Sequence, residues 1–176
     1  MAVWTSLYLL TEQSATMVNN AAIFGMKEDA NALLSVPNAV GELAEECFQI
    51  NYYGAKRTAE ALIPLLQLSH SSRIVNLSSS MGKLEVVLLE SKNRPTYFSA
   101  YRVSKAAMNA YTRILAKNYP SFRINYLCPG YVTTDINPNT GVLSVEVGVA
   151  TPVKLALLPN DGPSGLSFYR SEVSSF

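Results

Sequence analysis

The sequence predicts an α/β fold in which short parallel strands alternate with longer helices. Two observations support this prediction. Short runs that contain β-branched residues, such as 73–77, recur between turn-forming segments, which is typical of buried strands. A longer segment from residue 41 into the mid-60s carries apolar residues at four-residue steps, which is typical of a helix. Because no internal repeat or low-complexity linker interrupts the alternation, the 176 residues are expected to form one domain.

The predicted order is strand, helix, strand, helix, strand, helix, strand. The first strand ends near Met17 and Val18. The first helix is predicted because small or apolar residues repeat along one face, at Leu43, Cys47, Ala55, Ala59, Leu62 and Leu66. Pro64 should kink or restart that helix near its end. The later elements are a strand at 73–77, a helix at 99–118 closed by Pro120, a strand at 123–127, a helix at 144–157 and a strand at 165–169.

The composition excludes several classes of function. Lys and Arg number 14 against 13 Asp and Glu, so bulk charge predicts neither a nucleic-acid partner nor an anionic membrane. Cys47 and Cys128 lie too far apart for a disulfide framework or a metal motif, and the single histidine, His70, reads as a solvated loop residue. No apolar run approaches the roughly 20 residues of a membrane helix. We therefore expect a soluble cytoplasmic protein with no metal site.

The strongest chemical pattern is Tyr101-Arg102-Val103-Ser104-Lys105 within the second predicted helix. Residues four apart on a helix share a face, so the phenol and the ammonium can enter one site. A cation beside a tyrosine favours the phenolate and lowers a pKa that is ordinarily about 10, which would suit proton transfer to a carbonyl oxygen. Taken alone, this spacing is as compatible with an ordinary surface tyrosine and lysine.

Further polar residues fall where predicted strands end, and ligands of parallel sheets bind at those ends. The run 76–82 carries three serines whose hydroxyls could bind a substrate carbonyl, or form only a turn. The turn-like segments 19–22 and 129–130 could lie against a flat cofactor or be turns alone. Asn51 lies on the apolar face of the first helix, where its amide is either structural or part of a polar network.

In combination, these motifs resemble the short-chain dehydrogenase/reductase family. The order is NNAA, a helical Asn, NLSSSMG after a strand, YRVSK, and then CPGYVTTD. The resemblance covers about residues 17–176. Three stretches, beginning NYYGAKRTAEAL, YRVSKAAMNAYT and NTGVLSVEVGVA, are similar to the plant branch of salutaridine reductase and neomenthol dehydrogenase, near the carbonyl reductases.

The resemblance implies the roles of individual residues. Tyr101 would be the general acid/base, and Lys105 would bind the nicotinamide ribose and lower the pKa of the tyrosine. Ser79 would bind the substrate carbonyl, with Ser78 and Ser80 as near neighbours. Asn51 would support a proton-relay water. Tyr101 and Lys105 would also contact the cofactor, and the remaining cofactor contacts would be Asn19, Asn20, Ala21, Pro129, Gly130, Val132 and Thr134. The family implies NADPH as cofactor and a small carbonyl compound as substrate.

Two departures from the family pattern shape the prediction. None of the nine glycines is paired at GxG spacing, so the chain is expected to form a partial Rossmann-type, doubly wound parallel sheet without the first strands and the Gly-rich phosphate loop. Residues 1–16 would be an atypical N-terminal segment and 17–176 the catalytic part of one domain. The segment between Gly82 and Tyr97 is also short for that plant branch.

Two functional hypotheses remain at this point. The chain reduces a ketone or aldehyde with NADPH, or it is an inactive truncated form that at most pairs with a full-length relative. The sheet edge near Val18 would be left open in either case, and that edge or the exposed helices would offer a surface for self-association.

Overall fold

A computed structural model describes residues 6–10, 13–24, 39–89 and 96–175. The strands are β1 (Ser6–Leu10), β2 (Ala15–Asn19), β3 (Ser72–Leu77), β4 (Arg123–Cys128), β5 (Ser167–Tyr169) and β6 (Glu172–Ser174). The α-helices are α1 (Ala39–Phe48), α2 (Ala55–Leu66), α3 (Leu84–Leu89), α4 (Thr96–Asn118) and α5 (Val145–Ala156). A π-helical segment, Gln49–Gly54, joins α1 to α2, and a 3₁₀ turn, Ser80–Gly82, follows β3.

The six strands form one sheet in the order β1-β2-β3-β4-β5-β6. Strands β2 to β5 are parallel, whereas β1 and β6 pair antiparallel with their neighbours. The prediction that the edge near Val18 would be open is wrong, because β1 pairs along the whole of β2, with Leu7 opposite Val18. The chain turns back within a few residues, so its own N-terminal segment satisfies the backbone groups of that edge.

Helices cover both faces of the sheet, as the predicted doubly wound class requires. On one face, α2 and α4 enclose a core of ten buried residues that includes Met17, Ile74 and Ile124. On the other face, α5 packs on the middle strands, and Leu155 joins a second core with Val75 and Leu127. Buried residues therefore alternate along β3 between the two faces, which is the pattern of a strand buried on both sides.

The first long helix departs from the prediction at its centre. The α-helical pattern widens into the π-helical segment, which contains the buried Asn51, and returns to α-helix at Ala55. A π-helical stretch inserts an extra residue into the turn and is frequently found at functional sites. Pro64 lies within the last turn of α2, close to where a break was expected. Strand β5 lies within the strand predicted at 165–169, whereas the short helix α3 and the strands β1 and β6 have no counterpart among the predicted elements.

Candidate active site

The carboxyl ends of β2, β3 and β4 meet at one edge of the sheet. In the register, Asn19 pairs with Asn76, and Asn76 pairs with Tyr126. The loops predicted to form a site therefore begin side by side. Helix α4 crosses beneath this edge and presents its residues to the end of β3.

Tyr101, Lys105 and Ser79 are brought together there, as predicted from the sequence. The Ser79 hydroxyl lies close enough to the Tyr101 phenol to lower the pKa of that phenol by hydrogen bonding. The Lys105 Nζ lies 5.6 Å from the centre of the Tyr101 ring and donates to the Leu77 carbonyl oxygen at 3.0 Å. Tyr101 and Lys105 are 8% and 2% exposed, so both groups act in a medium of low polarity. In such a medium, a hydrogen bond or a charge has a stronger effect than it has in water.

Burial controls the protonation of both groups. It raises the pKa of the Tyr101 phenol, and the hydrogen bond with Ser79 offsets only part of that rise. The lowered tyrosine pKa that the resemblance implies is therefore not found, because desolvation of the phenolate exceeds the favourable contributions. Burial also lowers the pKa of Lys105 to about 8, against the weaker opposing influence of Cys47 and Cys128.

The lowered pKa of Lys105 predicts a pH-dependent stability. The unfolded chain keeps this proton up to about pH 10.4, so between about pH 8 and 10 the unfolded state binds more protons. The contribution of Lys105 to the free energy of unfolding therefore becomes more favourable as pH rises through that window. Chemical denaturation of the wild type and of Lys105→Met should show a free-energy difference that grows in favour of the wild type from pH 7 to 10.

The difference in the free energy of unfolding between the wild type and Lys105→Met cancels the contributions of groups that titrate identically in both proteins. Burial raises the pKa of Cys47, which acts in the opposite direction over part of the same range, and the charge of Lys105 lowers that pKa. The Cys47 titration therefore differs between the two proteins, so the comparison is made with Cys47→Ala in both. A wild-type minus Lys105→Met difference that stays constant or falls between pH 7 and 10 would contradict a lowered Lys105 pKa.

Asn51 is fully buried, and its amide is saturated by partners from three parts of the chain. Its Oδ1 accepts from the Ile23 N–H at 2.8 Å, and its Nδ2 lies 2.9 Å from the Ile23 carbonyl oxygen. The same Nδ2 lies 3.1 Å from both the Ser104 Oγ and the Cys47 Sγ. Asn51 thus ties the segment after β2 to helix α4, and Ser104 in turn donates to the Tyr101 carbonyl oxygen at 2.7 Å. From the sequence, Asn51 was either a structural residue or part of a polar network. These contacts show that it is both.

The start of the segment after β2 is anchored to β3 through Asn19, the last residue of β2. The Asn19 Nδ2 donates to the Asn76 Oδ1 at 2.7 Å, and the Asn76 Nδ2 donates to the Thr112 Oγ at 2.8 Å. Asn20 is exposed and Ala21 is half-buried, so these two residues lie at the surface of the site. The ring of Phe24 further along lies 4.6 Å from the Tyr101 ring, centre to centre. The segment therefore borders the tyrosine directly.

The loop after β4 folds closely on itself. Gly130, which follows Pro129, has a φ of +90°, a conformation that favours glycine. Val132 forms a parallel bridge with Leu143, and its carbonyl oxygen accepts from the Asn137 Nδ2 at 2.7 Å. Thr134 donates its backbone N–H to the Asn137 Oδ1 at 3.3 Å. This loop begins at the same sheet edge as Ser79 and carries the remaining predicted contacts.

Two residues of the site escaped the sequence prediction. Asn109 and Thr112 are 1% and 0% exposed, and both bond to the end of β3 or to the turn after it. A signal for Asn109 was present, because Tyr101, Lys105 and Asn109 form one row at four-residue spacing. Nothing in the sequence indicated which partners a buried amide would find.

Comparison with known proteins places the chain in a family. The family model described as short chain dehydrogenase matches residues 12–141. The chain therefore belongs to the short-chain dehydrogenase family, as its motifs suggested.

Individual relatives lie in the plant branch. A (+)-neomenthol dehydrogenase of Capsicum annuum is 51% identical over an alignment of 169 positions, gaps included, that covers 77% of this chain and 54% of that protein. A (+)-neomenthol dehydrogenase of Arabidopsis thaliana is 46% identical over an alignment of 206 positions, gaps included, that covers 91% of this chain and 70% of that protein. The solved structure of salutaridine reductase from Papaver somniferum superposes with a TM-score of 0.71 at 37% identity, covering 88% of this chain and 71% of that one. The chain thus spans about half to seven-tenths of the length of these relatives.

Two features would indicate other functions, namely a metal site and a membrane-spanning helix. Among the described residues, no group of His, Cys, Asp and Glu could hold a metal ion. No helix in the described ranges is both long and apolar enough to cross a membrane.

Proposed function

We propose that this chain is an NADPH-dependent oxidoreductase that reduces a ketone or aldehyde to an alcohol, with Tyr101 as the general acid. The observation that supports this most directly is the grouping of Tyr101, Ser79 and Lys105 at one strand end, with the Ser79 hydroxyl beside the Tyr101 phenol. A carbonyl oxygen that accepts from both hydroxyls would be held and protonated by the same pair. The plant relatives, named as dehydrogenases and reductases, support the same class of reaction.

The residues at the sheet edge fit the nicotinamide-ribose half of the cofactor. Lys105 uses one of its three N–H donors on the Leu77 carbonyl oxygen, which leaves two for ribose hydroxyls. The proposed contacts from the other strand ends are Asn19, Asn20 and Ala21 after β2, and Pro129, Gly130, Val132 and Thr134 after β4. The choice of NADPH over NADH rests on the family branch, since carbonyl reductases [NADPH] are among the relatives.

The bound cofactor would supply the hydride that adds to the carbonyl carbon. Ser79 would hold the carbonyl oxygen, and Tyr101 would transfer its phenolic proton to that oxygen, giving the alcohol. Because burial raises the pKa of Tyr101, the phenol carries its proton at neutral pH and is ready to donate. The protonated Lys105, 5.6 Å from the Tyr101 ring, would stabilise the phenolate that forms. Asn51 would orient this region through its bonds to Ile23 and Ser104, and we propose a relay water beside it.

The test is binding of NADPH to the purified chain, measured by calorimetry, followed by a screen of ketones and aldehydes for NADPH oxidation. We expect micromolar binding that weakens by roughly ten- to a hundredfold in Lys105→Ala, the size of a lost hydrogen bond to a charged group. The same titration with NADH tests the cofactor preference. Lys56→Ala is a matched control, because Lys56 lies on the surface of α2 and pairs with Glu60, at 3.8 Å.

Absence of binding up to millimolar NADPH, in a sample shown to be folded, would overturn the proposal. The chain would then be a catalytically inactive form, for which pairing with a full-length relative is the hypothesis to test. An equal loss of affinity in Lys105→Ala and Lys56→Ala would show that NADPH binds elsewhere, by charge alone.

A further inference from the structure

The turn that carries Ser79 is fixed to helix α4 by one amide side chain. This strand-end turn (78–83) leaves β3 and passes through the 3₁₀ turn. The Ser78 hydroxyl donates to the Asn109 Oδ1, and the Asn109 Nδ2 donates to the Gly82 carbonyl oxygen at 3.1 Å. Asn109 therefore holds both ends of the turn, with Ser79 between them.

The second half of the turn also lies directly on the helix backbone. A Cβ atom added at Gly82 would lie 2.8 Å from the carbonyl carbon of Lys105 and 2.9 Å from the backbone nitrogen of Ala106. Only glycine allows this approach without a shift of the backbone. The approach brings the Gly82 carbonyl within reach of Asn109, one helical turn beyond Lys105.

Inside the turn, Ser79 is held by weaker local contacts. Its Oγ accepts from the Met81 N–H at 3.1 Å, and its carbonyl oxygen accepts from the Gly82 N–H at 3.0 Å. These bonds shape the turn but do not place it relative to Tyr101. Two side-chain bonds between the turn and the helix involve Asn109, in addition to the link between Ser79 and Tyr101.

We propose that Asn109 is a positioning residue, which sets the distance between the Ser79 and Tyr101 hydroxyls by clamping the strand-end turn to α4. Its effect on catalysis rests on the proposed function, whereas its effect on the turn does not. Tyr101, Lys105 and Asn109 thus lie on one helix face and have different proposed roles. Tyr101 donates the proton, Lys105 stabilises the phenolate that forms, and Asn109 positions the Ser79 hydroxyl.

The experiment compares Asn109→Ala with Asn125→Ala by hydrogen–deuterium exchange. Asn125 is a matched control, because it is also 1% exposed and makes two side-chain bonds, to the Pro163 carbonyl oxygen and the Leu166 N–H. In Asn109→Ala, the amides of residues 81–83 should exchange at least about tenfold faster, because the clamp on the turn is lost. In Asn125→Ala, the faster exchange should fall on residues 164–167 instead, with a comparable loss of thermal stability.

Kinetic measurements distinguish a positioning role from a purely structural role, because a purely structural role would leave kcat unchanged. In Asn109→Ala, kcat for carbonyl reduction should fall at least about tenfold while KM for NADPH changes little. In a Ser79→Ala background, Asn109→Ala should lower kcat no further, since both changes remove the same contribution. Unchanged exchange at 81–83 would overturn the proposal, as would equal effects of Asn109→Ala with and without Ser79. Faster exchange in a chain without turnover would count against the proposed function and leave the clamp in place.

Discussion

Tyr101→Phe is expected to abolish most of the turnover of this chain while leaving its fold intact. The substitution removes the hydroxyl beside Ser79 that is proposed to protonate the carbonyl oxygen. General acid catalysis contributes about 10²- to 10⁴-fold to a rate, so kcat should fall by that factor. Affinity for NADPH should be nearly unchanged, because Lys105 keeps its bond to the Leu77 carbonyl oxygen. Steady-state kinetics and a calorimetric titration measure the two effects separately.

Tyr111→Phe provides a control of identical chemistry. Tyr111 lies on the same helix and is likewise 8% exposed, but its buried hydroxyl has no hydrogen-bond partner among the described residues. Its removal should leave kcat unchanged and raise the melting temperature slightly, because a buried unpaired hydroxyl costs free energy. A Tyr101→Phe variant that keeps more than about a tenth of the wild-type kcat would exclude Tyr101 as the general acid.

Local spacing predicted the parts of the site that depend on one element. The four-residue step from Tyr101 to Lys105 placed both on one helix face, and the helix confirms that face. The position of Asn51 on a row with Cys47 predicted its burial, which is complete. These predictions hold because helix geometry is set by local backbone bonding.

Features that depend on distant pairing could not be predicted in this way. The antiparallel strand β1 covers the edge at Val18, although nothing in residues 6–10 specifies which strand they meet. The π-helical segment was also not predicted, and it contains Asn51, whose side chain bonds to Ile23, 28 residues away. The pKa of Tyr101 follows from burial against other elements, and this overrode the expected effect of Lys105. Tertiary contacts decided each of these outcomes.

Gly141→Ala should cause the largest loss of stability among simple substitutions in this site. A Cβ atom at residue 141 would lie 2.2 Å from the backbone nitrogen of Thr133 and 2.5 Å from the Val132 carbonyl oxygen. These are backbone atoms in a loop closed by the bridge between Val132 and Leu143, so they cannot move aside alone. We expect a loss of about 3 kcal/mol or more in the free energy of unfolding. For a chain of this size, that loss lowers the melting temperature by roughly 6–12 °C.

The same glycine should matter for the cofactor, because the displaced segment contains Val132 and lies next to Thr134, both proposed cofactor contacts. NADPH affinity measured below the melting transition should therefore fall in Gly141→Ala. Gly41→Ala is the matched control: an added Cβ there meets nothing within 4 Å, and Gly41 lies in α1. Alanine is a better helix former, so this variant should gain about 0.5 kcal/mol and bind NADPH as the wild type does. Equal melting temperatures for the two variants would mean that the loop accommodates a side chain at 141 and that its close packing does not hold the site together.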